Sequence, residues 1–455
     1  MLFIYFPLPA EAQMRTAIIS DLHFGDPECS LVGNHSIYSD LDKALGADLD
    51  YLVLLGDVLD FSISSYQQTY SKAHEFFDRL CQDRPQLNIV YIPGNHDADI
   101  WHLLEHEINV VKPVAKGENP RKFRFSVPGV LDLRSTRNAS RPAFVLPHVN
   151  PSLPLDDPDK YKYGDVFLKG LVGKCNKLLV AFPNLYLVTD ERCLLITHGQ
   201  YFDAYWSLLG QIGPKIAPQG KVGEGLPTPL SLSDFVAVNF PLNQLACSGI
   251  GQAEPLTDVV RFVQRAVKDH DSKEIDKYLK CVDRIVLDPQ FGFAPYDPRE
   301  WATDIGIWYG KRKLRKALSS YGNPRDDNLF LQNEKVLKRI DDYWQMSLGE
   351  IKGLAGPDFK LPEPNTLLFG HTHVPILWEN REEVSLPGGR KITAANTGGW
   401  LRKCDDNENE YVPAAVFLIE DNGAISSIPV GPQPVPAPEK SQPQPPDDDG
   451  GLIVD

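Results

Sequence analysis

Short apolar runs recur along the chain, and five of them run straight into a small polar cluster. Arg15 to Ser20, Tyr51 to Leu55, Leu87 to Ile92, Cys193 to Ile196 and Thr366 to Phe369 are rich in aliphatic side chains with no helical period, which predicts short buried β-strands. Lys43 to Ala47 and Ser71 to Cys81 have helical composition between the first strands. Strand, helix, strand alternation predicts an α/β core, in which ligands collect beyond the carboxyl ends of the strands. Further strands are expected in Lys391 to Ala395 and Tyr411 to Leu418.

The pattern changes between Tyr201 and Pro364. Thr257 to Leu287 carries Val259, Val260, Phe262, Val263, Ala266 and Val267 at helical spacing with charged faces between them. Trp301 to Ser319 and Asn333 to Met346 also read as helices. A smaller, irregular insertion is expected from about Lys112 to Leu185. From Gly431 onward seven prolines accompany Gln, Ser and an Asp run, a composition that does not build a core. The expected organisation is an N-terminal extension (1–14), the first part of a core (15–200), a mostly helical cap insertion (201–364), the second part of the core (365–430) and a disordered Pro-rich acidic tail (431–455).

Composition narrows the function classes. The chain has 455 residues, 42% hydrophobic and 24% charged, as in ordinary globular proteins. A net charge of -15 opposes a general coat for nucleic acid or anionic membrane. Seven cysteines are spread widely with no C-x-x-C pair, so no disulfide framework or zinc knuckle is expected, and a cytoplasmic, reducing location fits better than a secreted one. Residues Met1 to Ala10 are apolar but lack a basic leader and contain Pro7 and Pro9, which weakens a signal-peptide reading. No apolar stretch approaches the roughly 20 residues of a membrane span.

The clusters that close the five strands are Asp21-Leu22-His23, Gly56-Asp57-Val58-Leu59-Asp60, Gly94-Asn95-His96-Asp97, Thr197-His198-Gly199 and Gly370-His371-Thr372-His373. Their carboxylates, amide and imidazoles are hard-to-borderline donors suited to divalent cations. Side chains at i and i+2 of an extended segment share a face, so Asp21 and His23 can meet on one ion, and His371 and His373 on a neighbouring pair. Asp57, leaving a central strand, suits a bridging carboxylate. Gly56, Gly94 and Gly370 are placed where backbone must approach the site closely. Any one such cluster is commonly a plain turn; five at successive strand ends are not. By contrast His102-Leu103-Leu104-Glu105-His106 matches an H-x-x-E-H zinc pattern by spacing alone and reads as an exposed helix.

In order and residue type the five clusters resemble those of the calcineurin-like metallophosphoesterases. The resemblance implies an α/β fold of the α/β/β/α sandwich type, two central sheets flanked by helices, with the large, mostly helical insertion added. It implies one ion held by Asp21, His23, Asp57 and His373 and another by Asp57, Asn95, His198 and His371. His96 is the implied proton donor to the leaving alkoxide, with Asp97 fixing its orientation and Asp60 supporting from behind. No organic cofactor-binding residue is implied. Two divalent ions about 4 Å apart, Mn first with Fe or Zn as alternatives, would clamp the phosphoryl oxygens for direct in-line attack by a bridging hydroxide.

Gly56-Asp57-Val58-Leu59-Asp60-Phe61 and the Asp97 ending set the chain apart from the protein Ser/Thr phosphatases of that superfamily. Ser20 to Asp26, His198-Gly199-Gln200-Tyr201-Phe202-Asp203 and Asn396-Thr397-Gly398-Gly399-Trp400 look more like the branch of UDP-2,3-diacylglucosamine pyrophosphohydrolase. His96 stands where that enzyme has Arg, and the insertion is longer, so the branch is carried over and its substrate is not. The expected substrate is a phosphoester or pyrophosphate of a small molecule, nucleotide or lipid head group. Nucleic acid is disfavoured. A nuclease of the same superfamily and a catalytically silent scaffold binding through its cap are the alternatives. Tyr309 to Lys316 is a basic island that reads as a solvated helix face or as a cap contact with a membrane surface. Oligomeric state is not legible.

Overall fold

The computed structural model describes residues 14–134, 144–147, 166–173, 176–216, 226–248, 330–354, 361–404 and 409–433. Two mixed sheets dominate. The first has the order β15 (Ile425–Val430), β14 (Ala414–Glu420), β1 (Arg15–Ile19), β2 (Tyr51–Leu55), β3 (Asn88–Ile92) and β6 (Lys177–Val180). The second runs β10 (Glu382–Ser385), β11 (Lys391–Asn396), β9 (Thr366–Phe369), β8 (Cys193–Thr197), β7 (Asn184–Val188), β4 (Gly129–Asp132) and β5 (Phe144–Val145). A small ribbon pairs β12 (Lys403–Cys404) with β13 (Glu410–Tyr411). Buried side chains from both large sheets belong to one continuous apolar core, which makes this a mixed α/β fold of the calcineurin type.

Register decides where the clusters fall. β1, β2 and β3 are parallel, with Ile19 opposite Leu54 and Leu55 opposite Ile92. In the other sheet β8, β9 and β11 are parallel, with Ile196 opposite Leu368 and Phe369 opposite Asn396. The chain therefore leaves three strands of each sheet at nearly the same level. All five clusters follow these ends, as does the Asn396 to Trp400 segment.

Helices cover the sheets. α1 (His35–Leu45) starts at Asn34, whose side chain accepts the Ile37 N–H at 3.3 Å. α2 (Tyr66–Asp83) starts at a reciprocal cap between Ser65 and Gln68 and buries Thr69, Ala73, Phe76, Phe77 and Leu80, one stripe at helical spacing. α3 (Asp99–His106), α4 (Lys112–Ala115), α5 (Val166–Val172) and α6 (Leu208–Ile216) are shorter, and α7 spans Leu232–Ala246. α8 (Glu334–Leu354) buries Val336, Ile340, Tyr343, Trp344, Ser347, Leu348 and Ile351.

Several expectations need correction. The stretch from Lys112 to Leu185 is not simply irregular, because β4, β5 and β6 lie within it and β7 begins there. Gly129 and Pro183 interrupt its apolar pattern, and the pairing partners are remote in sequence. α3 is a helix as expected but not an exposed one: Glu105 is buried, accepting from Asn109 Nδ2 and the Arg124 N–H, each at 2.7 Å. That carboxylate is spent on structure, and the H-x-x-E-H spacing is accounted for. Cys81 is disulfide-bonded, against expectation, whereas Cys29, Cys193 and Cys404 remain thiols. The helices expected at 257–287 and 301–319, the basic island, the residues before 14 and the tail beyond 433 lie outside the described residues. No described helix is long and apolar enough to cross a membrane.

Candidate metal centre

Five of the six non-glycine residues with positive φ among the described residues are Asp21 (56°), His23 (53°), Asp57 (51°), His371 (68°) and His373 (56°). The chain does not run extended through these clusters. It turns sharply through the left-handed region, at a cost of about 1–3 kcal/mol per residue, and that turning is what lets neighbours in sequence aim at one point. Tertiary hydrogen bonds hold the turns: Asp21 N–H to Gly56 O at 3.0 Å, His23 N–H to Asp57 O at 2.8 Å, Gly370 N–H to His198 O at 2.9 Å and Trp400 N–H to Asp21 O at 3.0 Å. Gly56 itself has φ 79°, and a Cβ there would sit 2.5 Å from His198 Nδ1. A Cβ on Gly370 would overlap Ser20 Oγ and Asp21 Oδ2.

The side chains form two groups that share a middle. Asp21, His23 and His373 bring one donor atom each to within 4.8 Å of one another, and so do Asp57, His198 and His371. Asp57 Oδ2 lies 3.1 Å from His198 Nε2 and 3.9 Å from His23 Nε2, between the groups. Asn95 Oδ1 is 3.2 Å from His198 Nε2, and His373 Nε2 is 3.2 Å from Asp21 Oδ1. All seven side chains expected as ligands are thus brought together. Only His373 among them keeps appreciable exposure, 20% of its side chain.

The donor set fits cations. His23 Nδ1 is 2.8 Å from Asp60 Oδ2 and His198 Nδ1 is 2.9 Å from Leu55 O, acceptors that keep the proton on Nδ1 and leave each Nε2 lone pair facing inward. His23 Nε2 then meets His373 Nε2 at 3.0 Å, and His198 Nε2 meets the Asn95 oxygen, while Asn95 Nδ2 is buried with no partner among the described residues. Lone pairs aimed at one another at such distances repel unless a proton or a cation lies among them.

Charge balance agrees. Burial alone would raise Asp21, but His198 and His373 hold it down at about 2. Asp57 is held well below its usual range by His198 and His96, again against burial. Burial favours neutral imidazoles, yet Asp60 lifts His23 to about 9, and Asp57 with Asp21 lifts His198 to about 9. His373 goes the other way, pushed by burial to about 4 despite Asp21. Divalent cations compete for the same atoms as those protons.

His96 stands at the more open side, its ring edge-on to His23 with centroids 4.8 Å apart. Here one expectation fails. Asp97 does not orient His96: its carboxylate accepts the N–H groups of Gly94 (2.6 Å), Val58 (2.9 Å) and Asp57 (3.2 Å) and the Tyr91 hydroxyl (2.6 Å). It pins the second cluster to the third, and burial beside Asp57 pushes its pKa up to about 6. The carboxylate next to His96 belongs to Asp60, whose Oδ1 lies 3.1 Å from Nδ1, although off the line of a well-directed hydrogen bond.

Sequence reasoning also missed supporting groups. Asn396 Nδ2 donates to Gly370 O at 2.8 Å, and Ser20 Oγ sits 2.5 Å from Thr397 Oγ1 beside Asp21, so the end of β11 braces the fifth and first clusters. Asp203 Oδ2 lies 3.9 Å from His371 Nε2. In the sequence it appears only as the end of the His198 to Asp203 phrase, with no role attached to it.

Residues 14–178 match the sequence model of the calcineurin-like phosphoesterase family. Among curated proteins, the DNA polymerase II small subunits of two strains of Halobacterium salinarum are 28% identical over 103 residues, 21% of this chain and 20% of theirs. The chain thus spans about a fifth of the length of these relatives. The match covers the first three clusters, and the remaining ligand-type side chains fold onto the same point, so residues 14–178 are similar in sequence to the calcineurin-like phosphoesterases.

Proposed function

We propose that this protein hydrolyses phosphoester or pyrophosphate bonds at two divalent cations, one held by Asp21, His23, Asp57 and His373 and the other by Asp57, Asn95, His198 and His371. The observation that carries this is the convergence of inward-facing nitrogen and oxygen lone pairs on both sides of Asp57. When bound, such a pair supplies Lewis acidity and a nucleophile at neutral pH. Mixed oxygen and imidazole donors favour Mn, with Fe or Zn as alternatives.

The chain's own side chains do the rest. Asp60 sits at Nδ1 of both His23 and His96, which leaves Nε2 of His96 to carry a proton to the leaving oxygen. Asp97 fixes the loops that carry Asp57 and Asn95 rather than the ring of His96. Residues 201–364 act as a cap, to which α6, α7 and α8 belong, over a core of residues 15–200 and 365–430.

A phosphoester of a small molecule, nucleotide or lipid head group is the leading substrate class. The partial likeness to subunits named for a DNA polymerase supports a second reading, a nucleic-acid phosphodiester; the net charge of -15 opposes it. Purified protein loaded with Mn is expected to hydrolyse bis-p-nitrophenyl phosphate and to contain two metals per chain by elemental analysis. Full-length protein with neither stoichiometric metal nor turnover on mono- or diesters would leave only the scaffold reading. Faster cleavage of single-stranded DNA than of any small diester would favour the nuclease.

A further inference from the structure

α5 lies along α2, and between them runs an open groove of about 850 Å³, away from the metal-type cluster. Three half-buried rings line it: Phe167 meets Tyr70 at 5.3 Å and Tyr66 at 5.8 Å between centroids. The Tyr66 hydroxyl is tied to the buried Asp99, which fixes the ring layer. Phe61, the residue after Asp60, packs edge-on against Tyr66 at 4.9 Å, so the groove is continuous with the loop of the second cluster. Gln67, Ser71 and Gln82 add exposed polar groups along the rim. The acidic side chains there are already paired, Glu75 with Arg79 at 2.5 Å and Asp78 with His74 at 2.8 Å.

A row of rings with neutral hydrogen-bonding groups beside it suits a polyproline II segment. Proline rings pack on aromatic faces, and the carbonyls of that helix have no partners of their own. This chain carries such a segment in Pro443-Gln444-Pro445-Pro446, where Pro443 and Pro446 stand one turn apart on one face. A stretch that is stiff before it binds loses little freedom on docking.

The position of the chain's exit favours the same match. The described residues end at Gln433 beside α1: Gly431 lies against Ile37, and the Pro432 carbonyl accepts the Val412 N–H at 2.9 Å. α1 packs on α2 through Tyr38, whose ring meets Phe76 and lies under Arg79. One helix therefore separates the exit from the groove, about 20 Å at ordinary helix spacing. Pro434, Pro436 and Pro438 favour an extended course, and about seven residues at about 3.1 Å each cover that distance. That count brings Lys440 to the end of α2 that carries Glu75 and Asp78, and Pro443 to Pro446 to the rings.

We propose that residues 443–446 dock in cis in the groove between α2 and α5, with 434–440 as the spacer that crosses α1. Tethering supplies an effective concentration on the order of millimolar, so the chain's own segment occupies the groove ahead of a dilute partner of similar sequence.

The test uses the full-length protein. Lys440 is the only lysine or arginine beyond Gln433, so trypsin cleavage there, followed by mass spectrometry, reports how often the segment is undocked. The Pro443→Ala/Pro446→Ala double variant leaves the folded body untouched, whereas Tyr70→Ser and Phe167→Ser alter the groove. Each is expected to be cut at Lys440 at least about fivefold faster than the wild type. The wild-type rate should not change with protein concentration. Excess free peptide of the sequence 438–449 should raise it, and a scrambled peptide should not. Equal rates in the wild type and all three variants would overturn the proposal. Protection that grows with protein concentration would assign the groove to the tail of a second copy and overturn docking in cis. Free peptide bound equally well by the wild type and the double-proline variant, with Lys440 cut at the same rate in both, would mean that the groove stands open to a partner, and would overturn it as well.

Discussion

Asp57 turns its two oxygens to different tasks. Oδ2 faces His198 and His23, while Oδ1 accepts the His96 backbone N–H at 2.7 Å and so ties the His96 loop to the cluster around Asp57. Asp57→Asn keeps the shape but removes the charge that both halves of the centre share. Turnover is expected to fall by more than about a hundredfold, since even groups behind the ligands are worth 10–100-fold, and metal content to fall below two per chain. Full metal with near-normal rates would remove Asp57 from the bridging position. His96 is expected to matter through the proton alone. His96→Ala should retain metal and slow aryl phosphodiesters in order of leaving-group pKa, steepening the dependence of log kcat on that pKa. Uniform slowing across the series would assign His96 to binding instead. Asp60→Asn should reproduce that steepening and also weaken metal binding, because the same carboxylate serves His23.

At the level of elements, the site depends on how closely the β1 and β9 loops approach. A methyl on Gly370 has no room beside Ser20 and Asp21, so Gly370→Ala is expected to cost about 1–3 kcal/mol and to lower metal affinity with it. Gly349 on α8 is the control: with open space around its Cβ, Gly349→Ala should stabilise by about 0.5–1 kcal/mol. Urea titration of both variants checks the pair, and equal midpoints would mean that the two loops are not in contact. The same elements show what the chain discloses in advance. β2 and β9 were legible to the residue, since a strand covered on both faces reads as an unbroken apolar run. α2 begins at Tyr66, before the expected Ser71, because its capping pair Ser65 and Gln68 lies in polar sequence. The ligand-type residues were legible from type and order. Their left-handed backbone was not, since hydrogen bonds from remote loops impose it. Nor was the exchange of roles between Asp60 and Asp97, which depends on which way two loops face.

Across the whole molecule, α8 is joined to the second sheet by a buried polar network. Tyr343 donates to Asn184 Oδ1 at 2.6 Å and touches Thr197 Oγ1 at 3.1 Å, while Asn184 Nδ2 donates to Ser347 Oγ at 3.1 Å. Tyr186 donates to Ser347 O at 3.1 Å, and Ser126 and Tyr186 both donate to the Glu350 carboxylate. Thr197 directly precedes His198, so the network reaches from α8 to the edge of the proposed metal site. Burial pushes Glu350 up to about 7 from its ordinary 4.5, and its two hydroxyl donors only partly counter this. The folded state then holds that proton more tightly than the unfolded chain does. The resulting stabilisation is complete below pH 4.5 and is lost as pH rises through 7, an amount of up to about 3 kcal/mol. Glu350→Gln keeps hydrogen-bonding capacity without a titrating proton. Between pH 5 and 8 its melting temperature should therefore change less than that of the wild type, measured with metal at constant free concentration. Parallel curves would show that Glu350 is ionised throughout, with water or a cation reaching the carboxylate. The joint between α8 and β8 would then be wet, and loosening of α8 with rising pH would have no path to His198.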